Sequence, residues 1–127
     1  MFYVEPHHID EAWQNGASAL ALALEKADGD ITAEQLVQAL KAGKKTLLGH
    51  NGGWAVVEVQ MYPNKRVLHV DAIHAPGVTG ADVFEELKAF AAHNGCAQIQ
   101  GACQPSVARL WKRKGFKESF TILRYTL

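Results

Sequence analysis

Four polar side chains fall at alternate positions in two neighbouring stretches of the chain. Glu58 and Gln60 are interleaved with Val57 and Val59, and His69 and Asp71 with Leu68 and Val70. Alternation of this kind puts all four on one face of two paired strands. With a turn at residues 63–66, Tyr62 pairs with Val67, Gln60 stands opposite His69, and Glu58 stands opposite Asp71. Two facing carboxylates repel, which raises the pKa of one toward a range useful for moving protons. Asp71, Glu58 and His69 are therefore the candidate catalytic residues. The same alternation is also what a partly exposed sheet needs without any chemistry, so both readings stand at this stage.

Other chemistry finds little support. His7 and His8 form a terminal pair, and His50, His69, His74 and His93 are scattered without metal-ligand spacing, so no metal site is expected. Neither a nucleophile elbow nor a phosphate-binding P-loop is present. Cys96 and Cys103 flank a strand-like segment that holds them too far apart for a disulfide, which predicts two buried thiols in a reducing compartment.

The elements that must position the polar residues follow from periodicity. Residues 2–4 can form a short strand. Trp13, Ala17, Leu20, Leu24 and Ala27 recur at helical spacing, predicting an amphipathic helix over 9–27. A second helix begins at Thr32 with a capping box to Gln35 and stops at Gly43. The period then changes to two. Strands 45–50 and 54–62 meet at Asn51-Gly52-Gly53, and a third strand covers 67–74. A helix carries Val83, Phe84, Leu87 and Phe90 on one face, and a strand follows at 97–102. Pro105 opens a last helix whose buried stripe is Val107, Leu110 and Trp111, and residues 116–127 return as one or two strands. The expected architecture is mixed α/β (α+β), one domain over 1–127, in the order β-α-α-β-β-β-α-β-α-β.

This order resembles the GCN5-related N-acetyltransferases (GNAT), the acyl-CoA N-acyltransferases. The most specific stretch is Gln104-Pro105-Ser106-Val107-Ala108-Arg109-Leu110-Trp111-Lys112-Arg113-Lys114-Gly115-Phe116, which looks like the family's closing helix running into Gly-Phe. The chain is also similar to small, divergent GNAT-like proteins carried by tailed phages. The resemblance implies a mostly antiparallel central sheet flanked by helices. It also implies acetyl-CoA as acyl donor, an amine of a small molecule or protein as acceptor, and a pyrophosphate held on backbone N–H groups where the fourth strand gives way to a helix. Here that place is Ile73, His74, Ala75, Gly77, Val78, Thr79, Gly80 and Ala81.

Two residues depart from the family pattern. Thr79 or Val78 takes a position where the family has a glycine or alanine, depending on the register, and Trp111 stands where a proton-donating Tyr is usual. Asp82, in a capping box with Thr79, would compete for the amides that a phosphate needs. These departures sustain an alternative: a catalytically inactive GNAT-like structural or interaction protein.

Composition sets the outer bounds. The 127 residues carry 13 basic and 13 acidic side chains, and this zero balance argues against general nucleic-acid binding. No apolar run is long enough to cross a bilayer and no secretion signal opens the chain, so a cytoplasmic protein is expected. The charge is uneven, with residues 1–34 acidic and residues 109–127 basic. Either the two ends attract each other, or Arg109, Lys112, Arg113, Lys114 and Lys117 meet an anion such as a CoA phosphate or an acidic partner. An exposed terminal strand could also pair with a second copy to make a homodimer.

Overall fold

A short strand near the start of the chain lies at the edge of a sheet, and the same sheet collects every later strand among the described residues. A computed structural model describes residues 2–25, 29–76 and 79–127, and only the backbone of Phe2 and of residues 79–82. Strands β1 (Phe2–Val4), β2 (Thr46–His50), β3 (Gly53–Met61), β4 (Arg66–His74) and β5 (Gln98–Gly101) lie in that order across the sheet. Neighbours are antiparallel except β4 and β5, which run parallel through the crossover helix α4 (Thr79–His93).

Alternating side chains give the sheet two buried faces. Leu47, Val56 and Ala72 pack on one side against α1 (Ile9–Gln14), α2 (Leu20–Leu24) and α3 (Ala33–Lys41), where Ile9, Leu20, Leu36 and Leu40 are buried. Leu48, Ala55, Val57, Leu68 and Val70 pack on the other against Val83, Leu87 and Ala91 of α4, with Trp111 of α5 (Pro105–Lys112) beside them. The turn between β2 and β3 is the two-residue kind that suits twisted antiparallel strands. Asn51 and Gly52 both have positive φ, 42° and 82°.

The capping box forms as expected: Gln35 N–H donates to Thr32 Oγ1 at 3.2 Å, and Thr32 N–H donates to Gln35 Oε1 at 3.0 Å. Replacing Thr32 with Ala leaves one helix-end donor without its partner and should lower stability by about 1 kcal/mol, read as a lower urea midpoint.

Three expectations need correction. The helix expected over 9–27 is, among the described residues, two short helices joined by an irregular turn, and Lys26 and Ala27 lie outside the described residues. Gly16 adopts φ 131°, and a Cβ there would lie 3.3 Å from the Trp54 indole nitrogen, so the chain bends to let the ring in. Leu110 is exposed rather than part of a buried stripe. Residues 116–127 form no strand. Phe120, Ile122, Leu123 and Tyr125 are exposed there, and the far edge of β5 gains no further strand among the described residues. No helix among the described residues is long and apolar enough to cross a membrane.

Candidate active site

The polar residues of β3 and β4 do share a face, but their partners differ from those expected. The β3–β4 turn is shorter than residues 63–66, closed by Tyr62 N–H donating to Lys65 C=O at 2.8 Å. Glu58 therefore stands opposite His69, and Gln60 opposite Val67. A slip of two residues keeps every side chain on its original face. The register shifts again between Val56 and Val57, which pair with Ala72 and Val70, so Asp71 is an extra, bulged residue of β4.

Lys45, just before β2, holds the group together. Its Nζ donates to Glu58 Oε2 at 2.8 Å and lies 3.1 Å from Asp71 Oδ1. The two carboxylates are thus bridged by an ammonium rather than left to repel. Gln60 Nε2 donates to Glu58 Oε1 at 2.9 Å, and Gln100 of β5 reaches His69 Nδ1 at 3.2 Å. Gln100 also donates to Gln60 Oε1 at 3.1 Å, and Tyr62 Oη donates to the same oxygen at 2.8 Å. The side chains of Lys45, Glu58 and Asp71 are only 19%, 25% and 19% exposed.

This network separates the three candidate bases. Burial pushes the Glu58 carboxyl up, but hydrogen bonds from Lys45 and Gln60, with the charges of Lys45 and His69, outweigh it and hold Glu58 below the usual carboxylate range. Both of its oxygens are engaged. With Gln100 Nε2 as donor, His69 Nδ1 is an acceptor, so in the neutral ring the proton sits on Nε2. Asp71 is different. Burial raises its pKa, helped by the Glu58 charge and opposed by Lys45. Its Oδ2 is buried and has no hydrogen-bond partner among the described residues. Lys45 is pressed down by burial, yet its hydrogen bonds to Glu58 and Asp71 prevail and keep it charged.

Asp71, His69 and Lys45 line a cavity of about 400 Å³. Leu24, Ile31 and Leu36 give it apolar walls, and Ile122 and Arg124 border it from the C-terminal segment. Arg124 donates bidentately to Asp30, with Nη2–Oδ2 at 2.9 Å, which joins the acidic and basic ends of the chain. That hydrogen bond, with the Arg124 charge, holds Asp30 below its ordinary pKa against the opposing effect of burial.

The strands part beside this cavity. The β4–β5 pairing ends at Val70–Gly101, whereas β4 continues to His74. Ile73, His74 and Ala75 follow this opening, and α4 starts at Thr79. Of the other expected loop residues, Gly77 and Val78 lie outside the described residues, and Thr79, Gly80, Ala81 and Asp82 contribute helical backbone only. The expected capping contact between Thr79 and Asp82 rests on side chains outside the description.

Trp111 packs edge-on against Phe116 at 4.5 Å between ring centres and against the core beside α4. Its indole is a structural filler that also lies at ordinary contact distance, 3.8 Å, from where a Cβ on Gly101 would be. In the basic cluster, Lys112 pairs with Glu118, and Lys114 sits over the Phe84 ring at 5.6 Å. The thiols are not both buried: Cys96 is half-buried and Cys103 is exposed at the cavity, where partial burial raises its pKa. Lys45 is the residue that motif reasoning overlooked.

Comparison with known proteins bears on the fold. No family model and no curated protein matches the sequence. Solved structures do match. A probable acetyltransferase superposes with a TM-score of 0.69 at 15% identity, covering 99% of this chain and 95% of that one. An aminoglycoside acetyltransferase from an uncultured soil metagenomic sample, crystallised with trehalose, gives 0.68 at 15%, covering 99% and 94%. The aminoglycoside N-acetyltransferase AAC(6')-Iy in complex with CoA gives 0.61 at 18%, covering 99% and 97%. The chain has the GNAT fold. The polar group occupies the face of β3 and β4 turned toward α1–α3.

Proposed function

We propose that the chain is an N-acyltransferase that moves an acyl group from acyl-CoA to an amine, with Asp71 as the proton acceptor. The observation that carries this reading is Asp71 lining the cavity beside the point where β4 and β5 separate, with an Oδ2 that is buried and has no hydrogen-bond partner among the described residues. A buried acceptor without a donor is costly, and an entering ammonium supplies both the donor and the proton to be removed.

The donor fits the unpaired stretch of β4. Backbone groups at residues 71–74 are free of β5, and the N–H groups of the first turn of α4 suit a pyrophosphate. Acetyl-CoA brings the activated thioester when bound, as CoA is bound in the AAC(6')-Iy structure. Asp71 accepts a proton from the ammonium, with a pKa raised by burial so that the transfer is less uphill. Lys45 steadies the resulting arrangement of carboxylates, and Glu58 and Gln60 steady Lys45 and each other. His69, 3.8 Å from Asp71 Oδ1, turns an N–H toward it and orients rather than accepts. Trp111 has no ionisable proton near neutral pH, so water protonates the departing thiolate.

A second reading is favoured by that Trp111 and by the ion pairs that already satisfy Lys45 and Glu58: a GNAT-like interaction protein without activity. Its exposed apolar C-terminal segment would then serve a partner, with a second copy of the chain as the simplest one. Calorimetric titration with acetyl-CoA separates the two. The transferase reading expects micromolar affinity, about −8 kcal/mol. The absence of heat and of thermal stabilisation at millimolar ligand would overturn it in favour of the second.

A further inference from the structure

We propose a surface site for a divalent transition-metal ion, built by Glu5, His7 and His8 at the junction of β1 and α1. The sequence shows only a histidine pair. The structure adds a carboxylate: one donor atom from each of the three residues lies within 4.8 Å of the others. Glu5 Oε2 and His7 Nε2 are 3.3 Å apart. Ligand atoms around a tetrahedral ion with bonds of about 2.0–2.1 Å sit roughly 3.3–3.4 Å from one another. That pair therefore already has the separation of two ligands on one ion.

The backbone explains why the three converge. Glu5 is extended, at φ −65° and ψ 151°, and Pro6 opens a single 3-10 turn with its φ set in advance. The turn closes when His8 N–H donates to Glu5 C=O at 2.9 Å. Three ligands thus come from four consecutive residues held in one fixed turn. The His7 and His8 rings are 4.1 Å apart between centres and tilted by 48°, so they do not stack face to face and their nitrogens can turn toward a common point. Asp10, the nearest further carboxylate along the chain, pairs with Lys41 at 2.8 Å.

Two imidazoles and one carboxylate suit zinc, nickel or copper better than the hard cations magnesium and calcium. All three residues are exposed, so water completes the coordination. Seven acidic residues against one basic within residues 1–34 give a potential that attracts a cation. Val4 and Ile9, on either side of the turn, are core residues. An ion held between them braces the edge of the sheet against the first helix and raises the melting temperature by linkage.

The test is calorimetric titration of tag-free protein with zinc chloride, repeated on His7→Ala, His8→Ala and Glu5→Gln. One ion per chain is expected, with affinity at least tenfold weaker in each histidine variant and weaker affinity for Glu5→Gln. NMR of the histidine ring protons should show zinc-dependent shifts for His7 and His8 first. No binding, or the same stoichiometry and affinity in a His7→Ala/His8→Ala double variant, overturns the site. In the second case the ion lies elsewhere, for example near Cys103 and His69. None of the three residues belongs to the proposed transferase group, so this outcome is independent of acyl-CoA binding.

Discussion

A Lys45→Met protein should unfold about 2–3 kcal/mol more easily than the wild type at pH 7. Breaking a fully buried ion pair costs about 3–5 kcal/mol, and partial exposure reduces that here. The methionine keeps the length of the lysine stem but leaves Glu58 and Asp71 facing one another with no cation between them. The pH dependence should change as well. In the wild type, the lowered pKa of Glu58 contributes stability that is present above its unfolded value and is lost as pH falls through the folded one. The raised pKa of Asp71 does the opposite, contributing stability at low pH that is lost as pH rises through its folded value. These effects partly offset each other. Without Lys45, mutual repulsion and burial raise both, so the variant should recover stability as pH falls through that raised range and one carboxyl takes a proton. Urea unfolding across a pH series measures this, and a variant that parallels the wild type at every pH would show that the ammonium carries no such load.

Asp71→Asn is the second large effect. The amide preserves the shape of the side chain and its place in the bulge, but it cannot accept a proton. Acyl transfer should fall by about 10²–10⁴-fold in kcat/KM, with circular dichroism unchanged. Glu58→Gln should cost far less, because both Glu58 oxygens are already engaged by Lys45 and Gln60. In the wild type the acid limb of kcat/KM should lie above the usual carboxylate range, since the free base is the active form of a group whose pKa is raised. An Asn variant with full activity would remove Asp71 from the chemistry and leave the polar group as a structural feature of the sheet.

Much of this site could be read from alternation alone. Period-two spacing was enough to place Glu58, Gln60, His69 and Asp71 on one face, because a slip of two residues leaves faces unchanged. The direct partners were not readable, since they depend on whether the chain turns in two residues or four and on a bulge that no side chain announces. Lys45 was hidden by distance along the chain, yet a signal for it existed. The Asn51-Gly52 turn sets Thr46 opposite Val57, and continuing that register by one residue brings Lys45 beside Glu58. The broken first helix was likewise signalled by Asn15-Gly16, although the indole that exploits the bend arrives from residue 54. The C-terminal twelve residues have a strand-like pattern. A pattern makes a strand only when a neighbour offers its backbone, and the described chain offers none there.

The parallel pairing of β4 with β5 also bears on the order of assembly. The β2–β3–β4 meander closes through two tight turns, so its contacts are short-range and cheap in loop entropy. Gln100 meets His69 across 31 residues, and only after α4 has formed and crossed over. Arg124 reaches Asp30 across 94. Lys45, Glu58 and Asp71 therefore meet through local, hairpin-connected closures, whereas the strand carrying Gln100 and the segment bordering the cavity depend on long-range ones. The cavity's far wall is the part of the site that costs the most loop entropy to put in place.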